Sequence, residues 1–147
     1  TVWLKGNRVS RNQIMAIKEE SVTDQKNSLT VCLDNILRHA GITRNTEYDL
    51  AQGKTAIQIL EENMTGVQVL DLSGCSLDAV LYYVNQDIPV LAILEDGEAV
   101  LVTGFNEFNV VIMEPSTGKL YKKGMNDATT WFAENGNHFI SYMKIDN

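Results

Sequence analysis

The sequence predicts an α+β domain, helices first and an antiparallel sheet after them. Two observations predict it. Apolar residues recur at helical spacing in three segments before Pro89, and from Pro89 the pattern changes to continuous apolar runs separated by turn residues. The chain has 147 residues, 44% hydrophobic and 21% charged, which suits one domain with a sizeable core.

Residues 1–24 read as an N-terminal arm and 25–147 as a single domain. In the arm, Val2–Leu4 is a short apolar run, and Ser10 is placed to cap a short helix through Glu20 carrying Ile14, Met15 and Ile17. The first strong element starts at Ser28. Leu29, Cys32, Leu33, Ile36, Leu37 and Ala40 form the stripe of a helix packed on a core, with Ser28 as its expected N-cap and Gly41 just past its end. Thr55–Asn63 and Ser76–Gln86 fit two more helices, on Ala56, Ile59 and Leu60, and on Leu77, Val80, Leu81 and Val84. Pro89–Glu95, Ala99–Phe105 and Asn109–Met113 fit strands, the first two joined by Asp96-Gly97, a hairpin signal. Pro115–Gly118 is turn chemistry. A short strand fits Lys119–Tyr121. A last helix, capped by Asp127 and ended by Gly136, carries Ala128, Trp131 and Phe132, and Phe139–Met143 closes the chain as a strand.

The net charge is −7, from 12 Lys+Arg against 19 Asp+Glu. That argues against nucleic acid, whose binding rests on neutralising phosphates. Between Lys54 and Lys119 there is no Lys or Arg, while ten acids fall in the same stretch. This is a solvated acidic face or a field that attracts a cationic peptide. No window approaches the ~18 apolar residues of a membrane span. The chain does not begin with Met and shows no signal-peptide pattern, which reads as a mature product or a piece of a larger protein. The two cysteines, Cys32 and Cys75, form no disulfide framework, and spacing alone does not say whether they pair. With only His39 and His138, and no HExxH or CxxC pair, no metal site is expected, nor any cofactor, since no phosphate-binding glycine loop is present.

The order of elements and several short runs resemble papain-like cysteine peptidases, and within them the bacteriocin-processing, double-glycine peptidases. Leu37-Arg38-His39-Ala40-Gly41 resembles the run that closes that family's first helix, thirteen residues after the catalytic Cys. Counting back from Gly41 reaches Ser28, not Cys32. Glu98-Ala99-Val100-Leu101-Val102-Thr103-Gly104-Phe105 resembles the strand that carries the catalytic His six residues before its Gly, and that position is Glu98. Glu114-Pro115 stands where the family has the Asp-Pro whose Asp orients the His. Gln25 resembles the oxyanion Gln, although closer to the nucleophile position than in the family.

The resemblance therefore implies a papain-like fold, with N-terminal helices on a central antiparallel sheet, whose triad positions read Ser28, Glu98 and Glu114. A thiol needs an imidazole to hold it as thiolate, and a carboxylate is too weak a base to activate a serine. Cys32 lies on the apolar stripe, as a buried core residue does. The implied protein is a non-catalytic domain of a larger bacterial protein, exported or cytoplasmic, that binds a peptide or a neighbouring domain. Two alternatives stay open. One is an active cysteine peptidase of the double-glycine type with its nucleophile replaced by Ser28. The other is a carboxylate enzyme or cation site on Glu98 and Glu114, which as a glycosidase needs two carboxyls about 5–10 Å apart.

Overall fold

The computed structural model describes residues 13–14 and 27–145. Its elements run β1 (Gln13–Ile14), α1 (Ser28–His39), α2 (Glu47–Ala51), α3 (Ala56–Asn63), β2 (Val67–Asp71), α4 (Leu77–Asn85), β3 (Val90–Ile93), β4 (Ala99–Phe105), β5 (Asn109–Glu114), β6 (Lys119–Gly124), α5 (Met125–Glu134) and β7 (His138–Lys144).

Every strand pairing is antiparallel, and the sheet order is β2-β7-β3-β4-β5-β6. β1 pairs with the far end of β4, Gln13 opposite Phe105 and Ile14 opposite Gly104. Residues 13–14 are thus strand where the sequence suggested a helix from Ser10 to Glu20. Extended pairing on a sheet edge outcompetes the weak local propensity of so short a helix. The rest of that helix, and Val2–Leu4, lie outside the described residues.

Helices cover both faces of the sheet. On one face α1 and α3 bury Cys32, Leu33, Ile36, Leu37, Ile59 and Leu60 against Leu91, Leu101, Met113, Ile140 and Tyr142. On the other, α4 and α5 bury Leu77, Leu81, Val84 and Phe132 against Val90, Val100, Val102, Ile112 and Phe139. A strand covered on both faces has no solvent side to alternate with. That is why all seven residues of β4 are buried and why its sequence reads as an unbroken apolar run.

Two expected caps move. Asn27, not Ser28, caps α1, its Oδ1 accepting from the Leu29 N–H at 2.7 Å, and Ser28 becomes the first helical residue. α5 starts at Met125 after Gly124, so Asp127 lies inside its first turn, where its charge favours the helix dipole without capping it. Ser76 caps α4, and Thr55 and Gln58 close a reciprocal capping box on α3. Gly41 and Gly136, just past α1 and α5, take positive φ of 87° and 88°, the left-handed conformation that ends helices.

Candidate functional site

The site is built where the N-terminus of α1 meets the start of β4. Ser28 is buried, and its Oγ accepts a hydrogen bond from the Ala99 N–H at 2.8 Å. Ala99 is the first residue of β4, so the preceding residue, Glu98, is held at the same helix end. The hairpin fixes Glu98 firmly. Its N–H donates to Asp96 Oδ1 at 3.0 Å, and its carbonyl accepts from the Leu94 N–H at 2.7 Å. The Glu98 side chain is exposed.

Glu114 ends β5, the strand next to β4, one residue past Met113, which pairs with Leu101. Its Oε1 accepts from the Ser116 N–H and from Ser116 Oγ, both at 3.2 Å, which orients the carboxylate over its own turn. Both carboxylates reach the first turns of α1 electrostatically. The Cys32 thiol is pushed well above its usual range, first by burial and then by the charges of Glu114 and Glu98. Glu114 also acts on Tyr121, whose hydroxyl is raised by burial and by that charge. α1 has no acidic residue in its own first turn, so its positive end is open to the field of these two groups.

Cys32 is fully buried, one turn along α1 from Ser28, and both Cys32 and Cys75 are free thiols. Every influence on Cys32 disfavours the thiolate, the reverse of what a nucleophile requires.

The backbone path is that of a known peptidase type. The chain superposes with a TM-score of 0.72 and 14% identity on a Bacillus anthracis protein described as a C39-like peptidase, over 91% of this chain and 98% of that one. It also superposes, at 0.59 and 14% identity, on a double-glycine-motif protease from an AMS/PCAT transporter in complex with the leader peptide, over 95% of this chain and 98% of that one. The chain has the C39-like peptidase fold. No family model and no curated protein matches the sequence.

On this peptidase-like scaffold neither histidine bonds to Ser28. His39 is the last residue of α1, roughly 16 Å along the helix axis. Its Nε2 lies 3.0 Å from the Asp87 carbonyl oxygen and 3.5 Å from Asp87 Oδ2. His138 opens β7. It pairs with Ile93, which pairs in turn with Ala99, so His138 stands two strands from Ala99, about 10 Å between Cα atoms. Gln25 lies outside the described residues.

Among the described residues no group of three or more His, Cys, Asp or Glu is arranged to hold a metal ion, and no helix is long and apolar enough to cross a membrane. Sequence reasoning missed the role of Ala99, whose backbone N–H ties α1 to β4, since a backbone donor leaves no signature in residue types. It also missed a cleft of about 360 Å³ at this end of the sheet, lined by residues that include Asp71, Glu95, Gly97 and His138. The register could not be read before the pairing of β7 was known.

Proposed function

We propose that this peptidase-like domain is a non-catalytic papain-like module that binds a peptide, with Ser28, Glu98 and Glu114 at the positions of a degenerate triad. One observation carries the reading: the residue at the head of α1 sits against the start of β4, and the side chain leading into that strand is a carboxylate, with no imidazole bonded to Ser28. Ser28 offers a hydroxyl whose oxygen already accepts the Ala99 N–H. A neighbouring anion neither withdraws a proton at neutral pH as an imidazole does nor later supplies one to a leaving amine. What the fold retains is a covered sheet with the N-terminus of α1 set against the start of β4. A relative of the same fold was solved with its leader peptide bound, which supports peptide binding as the use of such a surface.

The test pairs binding with turnover. A fluorescent peptide of about twelve residues containing Gly-Gly is titrated with the protein by anisotropy, and the mixture is followed by mass spectrometry. Saturable binding with the peptide intact is expected. Cleavage by the unaltered protein overturns the non-catalytic part, and absence of binding to a panel of such peptides overturns the other. Ser28→Cys is expected to bind and still not cleave.

A further inference from the structure

The cleft on the Ser28 side of the sheet carries an inference that rests on the peptide-binding reading and adds the chemistry of the peptide. Alternate residues of a strand share a face, so His138 lies on the same side as Ile140, which packs under α1 and α3. Ile93 and Ala99 occupy that row on the next two strands. The cleft therefore lies at the end of the sheet on the face that α1 and α3 cover, with Gly97, the neighbour of Glu98, as one of its walls. Its floor is apolar, from Ile93 and Ile140.

Its rim is anionic. Asp71 and Glu95 both line it. The Asp71 carboxyl is held below its usual range by hydrogen bonds from the Ser73 hydroxyl and N–H and by the charge of His138. Glu95 and the His138 ring both lie close to Gly136. A Cβ there would stand 2.7 Å from His138 Nε2 and 3.2 Å from Glu95 Oε1. Among the described residues no Lys or Arg lines the cleft, and residues 55–118 contain none.

We propose that this cleft receives a lysine or arginine side chain of the peptide bound at the Ser28 end, its aliphatic stem on Ile93 and Ile140 and its charged head toward Asp71 and Glu95. An apolar floor below an anionic rim suits a side chain that is apolar along its stem and cationic at its tip. A plain apolar side chain would use the floor alone and gain nothing from the carboxylates. An acidic one would be repelled.

The experiment walks a single Lys through six alanine positions upstream of Gly-Gly in an acetylated, fluorescein-labelled peptide, and measures binding by anisotropy at 50 mM NaCl. One register should bind about five- to tenfold more tightly than the same peptide with norleucine there, the scale of two partly exposed ion pairs. The preference should shrink at 500 mM NaCl. In Asp71→Asn/Glu95→Gln, both rim positions being exposed, it should fall below twofold while the norleucine peptide binds as before. If the panel binds but no register prefers Lys over norleucine, the cationic subsite is wrong and the peptide-binding reading stands. If nothing in the panel binds, that reading fails first and the subsite with it.

Discussion

The two ends of α1 are opposites. At its start, Ser28 is locked to a strand, and the charges of Glu114 and Glu98 reach Cys32 one turn along the helix. At its end, His39 is bonded to Asp87 beside Tyr142 and Lys144, in a separate hollow that also contains Gly66. The one imidazole that α1 carries, His39, stands at the second end. One rigid helix separates His39 from Ser28, and no side-chain rotation spans the roughly 16 Å between them. The difference teaches that one helix can join two ends whose chemical surroundings have nothing in common. Between the two ends, the middle of α1 packs the core.

The first prediction breaks the helix between its ends. Leu33→Ala removes a fully buried side chain and should cost about 2–5 kcal/mol by urea denaturation. A cost below about 1 kcal/mol would mean α1 is not the core element described.

At the start of α1, Ser28→Ala leaves the buried Ala99 N–H without its acceptor, an expected loss of about 1–3 kcal/mol. Neutral or stabilising behaviour would instead mark Ser28 as a residue held for chemistry at the expense of structure.

Cys32 tests the same end through pH. Its native thiol keeps its proton to higher pH than the unfolded thiol, which ionises near pH 8.5. The stabilisation is fully present below about pH 8.5 and is lost as pH rises toward the native value. Melting temperature should therefore fall more steeply above that pH in the parent than in Cys32→Ala, which itself costs about 1 kcal/mol or somewhat more. Equal slopes would contradict the burial.

The smallest effect belongs to the other end. His39→Gln removes a contact with an Asp87 side chain that is 64% exposed, so its cost should stay within about 1 kcal/mol, with peptide affinity unchanged. A change in affinity would show that the two ends communicate.

The α1 stripe, the Asp96-Gly97 hairpin and the strand runs were legible because burial leaves a periodic trace in residue type. α2 was not. Its five residues carry no stripe, and tertiary bonds hold it: Asp34 Oδ1 accepts from the Thr46 N–H at 2.8 Å, and Arg44 grips buried Asp49 through Nε and Nη2 at 2.9–3.1 Å. β2 was missed because its pairing partner, β7, lies some seventy positions later in the chain. At the site, the register of Ser28 and Glu98 came from resemblance to a motif pattern, and the Ala99–Ser28 bond places them at one helix end. The cleft depends on which residues line up across β7, β3 and β4, information that exists only after pairing.

The central claim is that the Ser28 position lacks a base, and a thiol placed there reports it directly. In a Cys75→Ala background, Ser28→Cys and Ser28→Cys/Glu98→His are alkylated with iodoacetamide across pH 4–10, buried Cys32 staying silent. The single variant should titrate near or above an ordinary thiol, about 8.5, because the carboxylates oppose the helix terminus. The double variant should titrate well below it as an imidazolium–thiolate pair forms. A depressed thiol pKa in the single variant would contradict the account, since it would require a cation beside Ser28 that the described residues do not supply.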